Sequence, residues 1–194
     1  MRRSILFSIL GVVVVSAILL AVYLGWERRM SPVERGKYLV RALGCIDCHT
    51  PKVQGPGGTL VPDPSRLLSG HSEDAPYPTW TPEDAERKVL QITGPTLTAW
   101  AGPWGVSFAA NLTPDKETGL GEWTKEKFIE MLRTGKSQRR TTGREILPPM
   151  PWANFRHGLL DAGDAEINAL WAYLRSIPPV KNRVPDPRPP GKEK

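Results

Sequence analysis

The stretch Cys45-Ile46-Asp47-Cys48-His49 constrains this chain more than any other. Two thiols separated by two residues, with an imidazole directly after the second, form the attachment pattern of a c-type haem. The spacing has a chemical reason. The thiols of Cys45 and Cys48 would add across the vinyl groups of the porphyrin, and the short tether would carry His49 under the ring as proximal ligand to the iron. The sequence holds no other cysteine. A structural zinc site would need four Cys or His ligands in paired spacings, and the remaining histidines, His71 and His157, are isolated. A thioredoxin-like pair would need a βαβ context, whereas this motif follows a helical pattern rich in glycine and charge.

A chain of 194 residues holds one domain, or a small domain with long insertions. Its 20 prolines and 18 glycines predict much irregular backbone. Half of the formal +6 charge sits in the first thirty residues, and the +3 that remains is too mild to argue for nucleic acid.

Residues 4–25 carry no charge and are mostly Ile, Leu, Val and Ala. At 1.5 Å per residue they would span about 33 Å, enough for the hydrocarbon core of a bilayer. Val15-Ser16-Ala17 offers small residues for cleavage, but the apolar region is longer than that of a signal peptide. A retained transmembrane helix is expected, with Tyr23 and Trp26 at the interface. The expected organisation is an anchor over residues 1–30, a haem domain over 31–180 and a disordered Pro-rich, basic tail over 181–194.

Within the haem domain, Ser31-Pro32-Val33-Glu34 is a helix start: a cap, a proline at the first helical position and an acid that completes a capping box. Gly36, Leu39, Val40 and Leu43 then share one face, and Gly44 breaks the helix before Cys45. From Pro51 to Trp123 there is no sustained period, which predicts an irregular wrap with a short helix from Thr81 to Gln91. Trp80, Trp100, Trp104 and Phe108 in that wrap read as packed aromatics. Thr124 caps a further helix ending at Gly135, and a last helix starts near Asp161 or Asp164 and stops at Pro178. Between them, Lys136-Ser137-Gln138-Arg139-Arg140 is either a solvated loop or a surface that steers an acidic partner.

What occupies the sixth position of the iron decides the chemistry. Of the four methionines, Met1 and Met30 flank the anchor and Met131 lies on a packed helix face. Met150 remains, in Pro148-Pro149-Met150-Pro151-Trp152. Prolines on both sides fix φ and remove amide donors, so the loop is stiff enough to hold a thioether with little entropy loss. His71 and His157 are the rivals for that position.

The capped helix into Cys45-Ile46-Asp47-Cys48-His49, Met150 in its proline loop and a final helix reading Leu170-Trp171-Ala172-Tyr173-Leu174 together resemble class I cytochromes c. The stretch from Asn111-Leu112-Thr113-Pro114-Asp115 to Gly119-Leu120-Gly121-Glu122-Trp123-Thr124 is similar to bacterial monohaem cytochromes and to cytochrome subunits of periplasmic dehydrogenases. The resemblance implies an all-α fold in which the first and last helices cross, with Gly36 at the close approach. It implies one covalent haem c on Cys45 and Cys48, with His49 and Met150 as axial ligands, and candidate haem contacts at Asn111, Trp104 and Trp152. It also implies attachment outside the bacterial cytoplasmic membrane, hence a single-pass protein with its haem domain in the periplasm. The function implied is one-electron transfer without catalysis. Its partners would be an upstream dehydrogenase or quinol-oxidising complex and a downstream oxidase or cytochrome. The alternative is a relay subunit inside a membrane-bound dehydrogenase complex. A haem gas sensor or peroxidase-like enzyme would follow if Met150 did not bind the iron.

Overall fold

The computed structural model describes residues 2–27, 30–137, 143–156 and 165–190. The apolar amino-terminal stretch forms helix α1 (Arg2–Glu27). Among the described residues, however, no helix is long and apolar enough to cross a membrane. This corrects the expected transmembrane anchor, and with it the single-pass placement in the bacterial cytoplasmic membrane with a periplasmic haem domain.

The core is helical. α2 (Pro32–Ala42) opens on the expected capping box: Glu34 N donates to Ser31 Oγ at 3.2 Å, and Ser31 N donates to the Glu34 carboxylate at 2.8 Å. α3 (Cys45–His49) follows after a break at Gly44. The remaining helices are α4 (Pro82–Glu86), α5 (Lys125–Thr134) and α6 (Ala165–Ser176). α4 stops five residues short of Gln91, while the cap of α5 at Thr124 and its end at Gly135 fall where the residues place them. Residues 157–164, which contain His157 and the candidate caps Asp161 and Asp164, lie outside the described residues, as does 138–142 of the basic stretch. Leu39 and Val40 of α2, Phe128 and Leu132 of α5, and Ile167, Leu170 and Leu174 of α6 form one buried cluster.

α2 and α6 cross at a contact that only glycine permits. A Cβ on Gly36 would overlap the Ala169 carbonyl oxygen and stand 2.6 Å from Tyr173 Cβ. Beside the crossing, Arg35 Nη2 donates to the Glu166 carboxylate at 3.0 Å.

The fold is not all-α as expected, because the long wrap after His49 contains two small antiparallel sheets. β1 (Lys52–Gln54) pairs with β2 (Leu60–Pro62), Val53 opposite Val61. β3 (Ile92–Thr93), β4 (Ala99–Gly102) and β5 (Gly105–Phe108) form the second, with Trp100 opposite Ser107. The physical reason is length and burial. Strands of two to four residues cannot display a period of 2, and β4 is buried at every position, so it never alternates. Among the aromatics of the wrap, Trp100 is buried in β4, and Phe108 packs against His71 and Tyr77 with ring centroids 5.0 and 5.3 Å away.

Residues 181–190, the described part of the tail expected to be disordered, run back along the molecule. Val184 is buried, Arg188 pairs by backbone with Val106, and its guanidinium lies over the Tyr77 ring. Asn182, also buried, donates to the carbonyls of Ser69 and His71, each at 2.8 Å. Hydrogen bonds to buried backbone acceptors, together with one buried valine, hold this segment, and composition does not report those bonds.

Two outcomes are expected from these contacts. Gly36→Ala should force α2 and α6 apart and cost about 2–3 kcal/mol, measured by denaturant unfolding. His71 is fully buried, with Nδ1 against Thr98 Oγ1 at 2.8 Å, and burial lowers its pKa below 6.5, with Arg66 adding to the effect and the Ala75 carbonyl opposing it. The unfolded chain therefore takes up a proton first. The stabilisation is complete above pH 6.5 and is lost as pH falls through the lower folded value, so unfolding free energy should decline on acidification and His71→Gln should flatten that slope.

Candidate haem site

Cys45, Cys48 and His49 occupy the single turn of α3. Gly44 stands ahead of it at φ +70°, a left-handed conformation that lets the chain leave α2 and restart at once. Positions i and i+3 of a helix share a face, so the two thiols lie side by side, with His49 one turn on from Cys45.

Two backbone segments hold His49. Its ring Nδ1 lies 2.8 Å from the Ala110 carbonyl oxygen, so Nδ1 carries the proton and Nε2 the lone pair a metal would use. Its own carbonyl accepts from Gly70 N at 2.9 Å. Next door, Thr50 Oγ1 accepts from Leu68 N at 3.0 Å, and the segments 68–71 and 109–112 are laced together by His71 N to Ala109 O and Leu112 N to Leu68 O. The turn is held from its other end by Lys52. The Lys52 ammonium donates to the carbonyls of Ile46, Asp47 and Thr50 at 3.3, 2.7 and 3.0 Å, gathering the acceptors at the carboxy-terminal end of α3, where Ile46 O also accepts from Thr50 N.

Burial pushes the Cys45 thiol up to about 11, reinforced by Cys48 and Asp47, and burial raises the Cys48 thiol too. Both are free thiols in this structure. Thiolate is disfavoured in this pocket while it holds no cation. Addition to an apolar vinyl group does not call for a buried charge.

Met150 packs against the same buried cluster as Cys45, together with Leu43, Ile46, Leu112 and Trp123. A half-buried apolar rim carrying a histidine with a defined tautomer, two neutral thiols and a thioether fits a haem in its donor set. Met131 also borders the cluster but is spent on the α5 face, and His71 is enclosed by Thr98, Phe108 and the Ala75 carbonyl. Asn111 does not turn toward such a group. Its Nδ2 donates to the Val180 carbonyl at 2.8 Å and its Oδ1 accepts from Thr113 N and Oγ1, so it ties the carboxy-terminal segment down. The Trp152 ring lies against Gly135, and the Trp104 indole N–H is buried without an acceptor among the described residues.

Two contributors escape sequence reading for different reasons. Lys52, three residues past His49, carried a usable signal, a cation just beyond a short helix. Ala110 acts through its carbonyl, to which its side chain offers no clue.

A thiol-bearing turn and a methionine, both packed on the cluster that the crossing of α2 and α6 builds, are the elements of a haem-attachment domain. The chain belongs to the cytochrome c family, whose profile matches residues 33–178. A domain of this family implies haem c. Among curated relatives, the chain is 29% identical over 157 residues to the cytochrome c subunit of a quinone alcohol dehydrogenase of Gluconobacter oxydans, a match covering 79% of this chain and 24% of that protein. It is 30% identical over 145 residues to the fructose dehydrogenase cytochrome subunit of Gluconobacter japonicus, covering 74% and 22%. It is 26% identical over 181 residues to the gluconate 2-dehydrogenase cytochrome c subunit of Pantoea cypripedii, covering 93% and 30%. The chain thus spans less than a third of the length of each of these relatives.

If Lys52 holds the attachment turn, Lys52→Met should remove the donor from three carbonyls and destabilise the protein by about 2 kcal/mol, read from denaturant unfolding, whereas Lys52→Arg should recover much of the loss.

Proposed function

We propose that this chain is an electron-relay cytochrome that carries one haem c and serves a dehydrogenase as its electron-accepting subunit. The observation that carries the reading is the position of His49. It sits on the same turn as both thiols, and its Nδ1 is bound to the Ala110 carbonyl, which orients Nε2 and raises its basicity as a ligand. Cys45 and Cys48 would hold the group covalently, His49 and Met150 would be its axial ligands, and the haem-bearing unit would be residues 31–180. When bound, the haem supplies one-electron exchange between Fe(II) and Fe(III).

The protein's own residues then do three things. The clamp on His49 keeps the imidazole in one orientation in both oxidation states, so little reorganisation accompanies transfer. Leu43, Ile46, Leu112 and Trp123 exclude water from the site. With His49 and Met150 both holding the iron, no coordination position would be left for a substrate, and the chain would transfer electrons without performing the dehydrogenation. The relatives named as cytochrome subunits of dehydrogenases support the relay role over that of an independent carrier.

The test is an absorption spectrum of the oxidised holoprotein with Met150→Ala beside it. A weak far-red band of thioether bound to Fe(III) should be present in the parent and lost in the variant, with one haem per chain by iron and protein assay. A parent without the band that binds carbon monoxide readily when reduced would overturn the assignment of Met150.

A further inference from the structure

We propose that Ser107 is the positioning residue for the Met150 loop, so that the three-stranded sheet of the wrap acts as a buttress for the sixth ligand; this rests on the reading of Met150 as that ligand. The prolines that stiffen the loop also strip it of donors: Pro148, Pro149 and Pro151 have no amide hydrogen, and Met150 lies between them. The loop must therefore be anchored through its carbonyls, by donors that reach it from elsewhere. Within the segment itself, Trp152 N donates to Met150 O at 2.9 Å and Asn154 N to Pro151 O at 3.1 Å, both local turns that set the shape of the loop but not its place.

Ser107, from β5, supplies the external tie. Its hydroxyl donates to the Pro148 carbonyl at 2.6 Å, two residues before Met150, while the Trp100 carbonyl opposite stands at a marginal 3.5 Å. Ser107 is 7% exposed, so the bond is shielded from competition with water. Its strand is in turn registered against β4 and joined through Arg188 to the carboxy-terminal segment. Among the described residues, this is the hydrogen bond that reaches residues 147–151 from outside their own stretch of chain. Apolar packing of Met150 and Trp152 and the bond from Ile146 N to Gly135 O keep such a loop near the core, but without the Ser107 bond nothing directional fixes its position there.

Competition for the iron reads this directly. In the oxidised holoprotein, the far-red thioether band is followed while imidazole is added as an external ligand. Ser107→Ala should lower the imidazole concentration that halves the band about tenfold, and Ser107→Thr, which keeps the hydroxyl, should stay close to the parent. Thr98→Val is the control. It deletes another fully buried hydroxyl of the same wrap, bonded to His71 and Thr96 and not to the loop, and should leave the midpoint unchanged. Ser107→Gly replaces the Ala variant if that chain does not fold. A parent band with the same midpoint in Ser107→Ala, or an equal shift in Thr98→Val, overturns the role of Ser107 while Met150 stands as ligand. A parent without the band overturns the Met150 reading itself.

Discussion

The bond between His49 Nδ1 and the Ala110 carbonyl is the contact on which the rest of the haem-binding half depends. A five-residue turn cannot orient an imidazole by itself, since it lacks the length to be a stable helix in water. The orientation is imposed from outside, by a carbonyl some sixty residues downstream and by the amide of Gly70 on the other side. For Ala110 to stand there, segment 109–112 must be fixed against 68–71, and that pairing in turn explains why Asn111 and Asn182 spend their amides on backbone carbonyls. Polar side chains are thus used here as substitutes for a regular sheet, satisfying backbone groups that an irregular wrap leaves buried.

The wrap is consequently part of the site. Its first portion carries Lys52 to the open end of α3, its middle supplies the carbonyl for His49, and its second sheet meets the proline loop. Helices α2, α5 and α6 form the apolar body, while the inserted backbone sets the positions of the groups that do chemistry. The division is a physical one: apolar packing is non-directional and tolerates small shifts, whereas a ligand held to a metal needs the directional restraint of hydrogen bonds.

How much of this could be read from the residues follows the same division. Features encoded by side chains acting locally were legible: the capping box of Ser31 and Glu34, the Thr124 cap and the Cys-x-x-Cys-His turn, whereas Gly36 at the long-range α2–α6 crossing was expected only through the family resemblance. Features made by backbone pairing across long separations were not. β3 and β4 are too short or too buried to show alternation, and Ala110 is chosen for where its carbonyl falls. Apolar composition misled at the amino terminus, where α1 forms over the expected stretch, yet no described helix meets the length and apolarity a bilayer crossing demands. At the other end, Pro-rich and basic composition concealed an ordered segment, because the hydrogen bonds of Asn182, the burial of Val184 and the pairing of Arg188 with Val106 and Tyr77 depend on where three particular residues fall.

The α2–α6 crossing has a consequence in time. Arg35 and Glu166, which meet beside it, lie 131 positions apart in the chain. Closing a loop of that length costs about 4 kcal/mol of chain entropy before any contact repays it, which places this fold toward the slow end for its size. During synthesis α3 emerges long before α6, so the apolar faces of α2 and the attachment turn stay uncovered until the helix that completes the core arrives.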